Sequence, residues 1–177
     1  MTTDTGTTTL CGASSETNIT QVQFLVMSAL LGALVGVLFI FVQPWFGMDT
    51  LTSRHAALYQ QLGGWSAVPA LVIAWLAHSA VSVFYGVLSG ILILKTQRLP
   101  LVAFFTLAFS WVTTVIAPPA NALIVQLVSF QRIDVGKLPG LNFDLDVKFV
   151  LHLVFFAAIV LGLFAYQRKS GTAEVSR

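Results

Sequence analysis

Four long stretches of the chain contain no acidic or basic residue and consist mainly of apolar residues: residues 24–42, 66–94, 99–131 and 149–167. A transmembrane helix needs about 20 apolar residues to cross a hydrocarbon core roughly 30 Å thick. Because lipid offers the backbone no hydrogen bonds, segments of this kind must pair their own polar groups as helices. The pattern therefore predicts an all-α polytopic membrane protein with four transmembrane helices.

A short helix at the outer membrane surface is predicted between the first two crossings. Residues 51–62 place Leu58 and Leu62 near one side and Arg54 elsewhere. This distribution is typical of a helix that lies along the membrane surface.

Two consecutive prolines, at positions 118 and 119, interrupt the third stretch. Proline removes a backbone donor and clashes with the preceding helical turn. We therefore expect the third crossing to end at residue 117, and residues 120–130 to form a second short helix or a re-entrant segment at the outer surface.

The polarity of the chain predicts a disordered polar tail over residues 1–22, a four-helix transmembrane domain over residues 23–169 and a polar tail over residues 170–177. With four crossings, both tails and the turn at residues 95–98 lie on one side of the membrane. Basic residues on this side lie close to helix ends, whereas those on the other side are spread over longer loops that also carry four Asp residues. The positive-inside rule therefore predicts that both termini are cytoplasmic.

A tandem repeat of two hairpins is a further possibility. Three pairs of distinctive residues are separated by the same interval of 74 positions: Pro44 and Pro118, His78 and His152, and Lys95 and Lys169. In this register each half is a crossing, a proline, a short surface helix and a second crossing with a histidine, as in parallel membrane repeats. Identities between the halves are no more frequent than apolar composition alone would produce, so the repeat depends on this layout.

Composition agrees with a lipid environment and narrows the function. Only 9% of the residues are charged, against about 25% in soluble domains. The net charge of +2 comes from few residues and forms no basic cluster, which argues against a nucleic-acid partner and leaves the lipid bilayer as the main one. Cys11 is the only cysteine, so no internal disulfide or thiolate metal cluster is expected. No nucleotide loop, nucleophile elbow or zinc motif is present. The low charge and the small loops leave little room for catalysis outside the bilayer, which favours a non-enzymatic protein.

The two histidines within the predicted crossings, His78 and His152, are the strongest candidates for chemistry, since titratable groups inside a membrane are costly. His78 lies 17 residues before Lys95 and His152 lies 16 before Arg168, which places both histidines at nearly equal depth. Histidines at matched depth on the second and fourth transmembrane helices could hold one b-type haem, bind zinc or copper, or transfer protons.

A structural role for these histidines is the alternative. A histidine that hydrogen-bonds a neighbouring helix contributes only about 0.6 kcal/mol on average. Ser82 follows His78 at helical spacing and leaves room for a haem edge, but the corresponding position after His152 is the bulky Phe156. This difference weakens the haem hypothesis.

Two ladders of small residues repeat at every fourth position: Ser28, Gly32 and Gly36 in the first crossing, and Ser82, Gly86 and Gly90 in the second. Small residues at this spacing allow two helix backbones to approach closely. The ladders predict tight packing of the first crossing against the second, with self-association of the protein as the alternative.

Thr113 and Asn121 lie on either side of the two prolines. Backbone carbonyls freed by the prolines, together with these polar side chains, could line a small cavity. Such a cavity would suit a small transporter. No acidic or basic residue lies deep in any crossing, which argues against an ion-coupled pump.

Three features of the chain together resemble a known family. The second crossing carries His78, Tyr85, Gly86 and Gly90, prolines interrupt the third crossing, and His152 lies at the start of the fourth crossing. This layout resembles the YagU-like four-helix proteins of bacteria, whose function is undefined. The resemblance implies a location in the bacterial inner (plasma) membrane and implies no activity.

The sequence thus favours a small non-enzymatic integral membrane protein, either an accessory subunit of a larger membrane complex or a small binding or stress-related protein. The first alternative is an electron-transfer subunit with one b-type haem between His78 and His152. The second is a small transporter.

Overall fold

The computed structural model describes residues 13–96, 98–129 and 132–175. This part of the chain is helical and contains no strand. Its five α-helices are α1 (Ala13–Val42), α2 (Leu51–Gly63), α3 (Ala67–Lys95), α4 (Leu99–Val128) and α5 (Val147–Val175), with single 3-10 turns at Gln43–Phe46 and Val135–Lys137. Of these, α1, α3, α4 and α5 are long and apolar enough to cross a membrane. The prediction of an all-α protein with four transmembrane helices is confirmed.

The outer surface of the bundle is apolar. In the most apolar part of each span, only 22–33% of the residues are buried inside the protein. Large side chains such as Phe41, Phe84 and Phe104 are more than 60% exposed. Because lipid tails solvate such side chains at little cost, this surface suits a bilayer.

The transmembrane helices pack as two antiparallel pairs, α1 with α3 and α4 with α5, and α5 also contacts α1 and α3. The apolar core takes residues from all four helices, with the largest share from α5. Its fully buried members include Ile93, Val102, Phe156, Ile159 and Leu163.

Helix α2 closes the end of the bundle at which α3 begins and α4 ends. The Thr50 hydroxyl caps its N-terminus by accepting a hydrogen bond from the Ser53 amide at 3.2 Å, and Gly64 ends it in a left-handed conformation. The predicted surface helix over residues 51–62 is therefore present. Its buried face centres on Tyr59, which is 1% exposed; Leu58 packs against the same cluster, whereas Leu62 is 42% exposed.

The predicted break in the third crossing is wrong, because α4 continues through Pro118 and Pro119 to Val128. Pro119 cannot donate to the carbonyl of Val115, four residues earlier. The backbone amide of Asn142, in the loop before α5, donates to that carbonyl instead, at 3.1 Å. One of the two bonds that the prolines remove is thus replaced from outside the helix, and the helix continues. Residues 120–128 belong to α4 and not to a separate helix, so the second half of the proposed repeat has no counterpart of α2 in the described part of the chain.

The helices extend further than the predicted transmembrane domain. Helix α1 begins at Ala13 and α5 continues to Val175. Residues 13–22 and 170–175, which the polarity of the chain assigns to the polar tails, are therefore helical. Residues 1–12, which include Cys11, and residues 176–177 lie outside the part of the chain that the structure describes.

Candidate functional site

The six small residues singled out in the sequence are all buried and meet between α1 and α3: Ser28, Gly32, Gly36, Ser82, Gly86 and Gly90. A Cβ atom on Gly32 would overlap the carbonyl oxygen of Ser82 and lie 2.8 Å from the Cα of Gly86. Conversely, a Cβ atom on Gly86 would overlap the carbonyl of Ser28. The two ladders therefore face each other within one chain, which leaves them no free surface for self-association.

His78 continues this interface by one turn of α3. Its ring is 7% exposed, and Nε2 lies 2.9 Å from the carbonyl oxygen of Gly36 on α1. Because a carbonyl only accepts, Nε2 carries the hydrogen and donates it. In the neutral ring, Nδ1 is therefore the acceptor.

His152 on α5 is bound to α4 in a similar way. Its Nδ1 lies 2.8 Å from the hydroxyl oxygen of Thr114, and that hydroxyl donates its one hydrogen to the carbonyl of Ser110, also at 2.8 Å. With that hydrogen on the Ser110 carbonyl, the Thr114 oxygen accepts from His152, and Nδ1 carries the ring hydrogen. The lone pair of the neutral ring is on Nε2.

The structure adds a third histidine, His55 of α2, which the sequence reasoning missed because it lies outside the predicted crossings. It is 9% exposed, and its Nε2 is buried with no hydrogen-bond partner among the described residues. Burial, with smaller contributions from the nearby His78 and Arg54, lowers the pKa of His55 to about 4, and the polar side chain of Asn121 partly opposes the shift. A signal was available: His55 precedes Tyr59 by four residues, so the two share one helical face.

One cavity brings the predicted site residues together. It has a volume of about 480 Å³ and is lined by all four transmembrane helices and by α2. The polar residues of its lining include His78, Thr113, Asn121 and His152, the four residues predicted as haem ligands or cavity residues. The lining also includes five aromatic residues: Phe39, Phe84, Tyr85, Phe155 and Phe156. A second cavity, of about 40 Å³, shares His78 and Asn121 with the first and includes His55.

The charged residues that line the larger cavity are basic, Arg54 from α2 and Lys148 from the first turn of α5. No Asp or Glu is among its lining residues in the described part of the chain. Burial lowers the pKa of Arg54, and the charge of Asp49 partly offsets this effect. Lys148 forms an ion pair with Asp146 at 3.4 Å, with both side chains partly exposed. The lining of the cavity therefore carries positive charge at the α2 end.

The described residues contain no group of three or more His, Cys, Asp or Glu side chains that could hold a metal ion. One observation favours haem binding and one opposes it. His78 and His152 line the same cavity, but the Nε2 atom of His78 is hydrogen-bonded to the carbonyl of Gly36. His152, in contrast, has Nε2 available as an acceptor.

No protein-family model, curated protein or solved structure matches this chain.

Proposed function

We propose that this membrane protein binds a small amphiphilic molecule in the cavity between its helices and does not transform it. The single observation that supports this function is the cavity itself, whose lining combines aromatic with polar side chains. Its volume of about 480 Å³ falls within the range of roughly 300–1,000 Å³ that is typical of small-molecule sites. The apolar part of the bound molecule would contact the aromatic side chains of the lining, and its polar head would contact the histidines, Thr113 and Asn121.

A test can use 1-dodecanol as a neutral single-chain probe, with the purified protein in detergent. We expect native mass spectrometry to detect one bound dodecanol per protein, and the melting temperature to rise with probe concentration. Ala117→Phe should abolish both effects, because Ala117 lines the cavity and the larger side chain fills it.

Ala103→Phe is the matched control, since Ala103 lies on the same helix with its side chain exposed. It should bind the probe as the unmodified protein does. Equal retention of probe by both variants would show that binding occurs on the detergent-covered surface, and the proposed function would then be wrong.

A b-type haem between α3 and α5 is the second candidate, because His78 and His152 line one cavity. His152 would offer Nε2, and His78 would need to give up its bond to Gly36 or coordinate through Nδ1. Expression with added haem should then give a Soret band and a sharp alpha band on reduction, both of which disappear in His78→Ala and in His152→Ala. A colourless preparation would eliminate this candidate.

The cellular setting is also a proposal: the bacterial inner membrane, with both termini cytoplasmic, and association with a larger membrane complex as an accessory subunit. The distribution of basic residues near helix ends supports the orientation.

Affinity purification from native membranes tests the association with a larger complex, and recovery of the chain alone under mild detergent would contradict it. A role in transport would follow only if the bound molecule is released on both sides of the membrane.

A further inference from the structure

We infer that the cavity selects amphiphiles with an anionic head group, a carboxylate or a phosphate, and that Arg54 and Lys148 bind this head. The inference rests on the proposed function, since it names the class of molecule that the same cavity would hold. The evidence for anion selectivity is the positive charge of the residues that line the cavity and the position of these residues at one end of it.

Arg54 provides the first argument. Its Nε atom is buried and has no hydrogen-bond partner among the described residues. Burying a charged group is costly, and because Arg54 also lines the cavity, an anion held there would offset part of the cost of burying the guanidinium. Asp49, the acidic residue whose charge acts on Arg54, is not among the residues that line the cavity.

Lys148 provides a second cation at the same end. Its amine lies 3.4 Å from the carboxylate of Asp146, which is also bound by the backbone amides of Lys148 and Phe149. Because two amides and the amine share that carboxylate, and because the lysine is 47% exposed, the amine can turn to a ligand without leaving Asp146 unpaired. The cavity therefore has two cations and no acidic side chain in its lining.

The polarity of the cavity lining also changes along its length, as the polarity of an amphiphile does from head to tail. Arg54 lies in the first turn of α2 and Lys148 in the first turn of α5, so both cations are at the α2 end. Tyr85 and Phe156 lie further into the bundle, with ring centroids 5.0 Å apart. A head group near the membrane surface and an apolar chain directed inward would match this gradient. The volume of about 480 Å³, in the lower half of the typical range, suits one chain or one ring system rather than a two-chain lipid.

The experiment compares three probes with the same chain: dodecanoate, dodecyl phosphate and 1-dodecanol. Affinities are measured by native mass spectrometry on the full chain at pH 7.5, with melting temperature as the second readout. We expect at least one of the two anions to bind about tenfold or more tightly than dodecanol, because charge-assisted hydrogen bonds are the stronger ones. The tighter anion then identifies the head group as a carboxylate or a phosphate.

Arg54→Gln and Lys148→Gln should each reduce anion binding by about tenfold and reduce dodecanol binding much less, because the alcohol has no charge that pairs with the lost cation. Arg132→Gln removes the same charge from an exposed residue that does not line the cavity, and should change neither affinity. Each variant is first checked for an unchanged melting temperature without probe, and Lys148→Gln carries the test if Arg54→Gln is unstable.

The outcomes separate the two proposals. If dodecanol binds as tightly as both anions, or if Arg132→Gln weakens anion binding as much as Arg54→Gln, the inference of anion selectivity is overturned while the proposed function stands. If none of the three probes binds, the proposed function fails, and the inference fails with it.

Discussion

Gly86 determines how closely α1 and α3 approach. A Cβ atom at this position would overlap the Ser28 carbonyl and lie 2.9 Å from the Cα of Gly32. Both of these are backbone atoms of α1, which can yield only if the two helices separate. We therefore expect Gly86→Ala to destabilise the protein by about 1–3 kcal/mol, as overpacking typically does. Unfolding by SDS titration in mixed micelles measures this change.

Gly140→Ala is the control for that substitution. Gly140 lies in the loop before α5 and does not have a positive φ, and a Cβ atom added to it would meet no other atom within 4 Å. The stability of this variant should match that of the unmodified protein within about 0.5 kcal/mol. If Gly86→Ala were equally neutral, the close approach of α1 and α3 would be refuted.

His55 should make the stability of the protein depend on pH. Its pKa of about 4 in the folded protein is below its ordinary value of 6.5, so the unfolded chain binds the proton more tightly. Protonation therefore favours unfolding: stability is intact above pH 6.5, decreases as the pH falls, and levels off below about pH 4. The loss attributable to His55 is on the order of 1–3 kcal/mol.

His55→Gln isolates this contribution, because glutamine is polar but does not titrate. Between pH 7.5 and pH 4.5 the variant should lose less stability than the unmodified protein by that amount, in the same SDS titration. Parallel pH profiles of the two proteins would show that His55 is solvated in the folded state, and would contradict its burial against α3 and α4.

At the residue scale, the features that could be predicted from the sequence are those whose residues recur at a regular spacing. The two ladders of small residues could be found because helical periodicity is visible in one dimension. His55 was missed because its burial depends on how α2 lies across the end of the bundle. That contact involves Tyr59 and Val125, which are far apart in the sequence.

At the scale of single elements, the continuity of α4 depends on a hydrogen bond from another part of the chain. The Val115 carbonyl is buried and accepts from the Asn142 amide at 3.1 Å, in place of the donor that Pro119 lacks. We expect Asn142→Pro to destabilise the protein by about 1–3 kcal/mol, the usual cost of an unsatisfied buried polar group. Thermal unfolding in detergent measures the loss.

Two further variants separate this bond from a general effect of proline in the loop. Leu141→Pro changes the adjacent, exposed residue and should cost much less. Pro119→Ala returns a donor to Val115 within the helix, so adding it to Asn142→Pro should recover most of the lost stability. A double variant no more stable than Asn142→Pro would argue that the Val115 carbonyl is not the group at fault.

The same bond explains why the sequence predicted a break in α4 that the structure does not have. The rule that proline ends a helix considers only donors within the helix, and within α4 the donor is missing. The replacement comes from a loop residue that follows 27 positions after Val115. The extra length of α4 beyond Pro119 also positions Val125 against α2, a contact that a broken helix would not make.

For the whole molecule, the number of crossings was predictable and the cavity was not. The four uncharged stretches predict the four helices, because a single segment in lipid can pair all its backbone polar groups only as a helix. The cavity depends on the relative heights of the helices: His152, in the second turn of α5, is level with Thr114 of α4, so the last turns of α4 extend past the start of α5. Helix α2 partly fills the space this leaves, and Arg54 and Lys148 line what remains. Such offsets are set by packing between helices and leave no signature in any single segment.

The orientation of the bundle is the remaining property of the whole molecule that can be tested directly. Basic residues near helix ends predict that both termini are cytoplasmic, and Cys11, the only cysteine, is a native reporter for the N-terminal side. A membrane-impermeant maleimide should therefore label Cys11 only after bacterial spheroplasts are permeabilised. In a Cys11→Ser background, Leu141→Cys places a thiol at an exposed position in the loop between α4 and α5, and should be labelled in intact spheroplasts. The reverse pattern, with Cys11 labelled and Leu141→Cys protected, would invert the topology. It would also place Arg54, Lys148 and the positively charged end of the cavity on the cytoplasmic side, where an anionic ligand would have to enter from the cell interior.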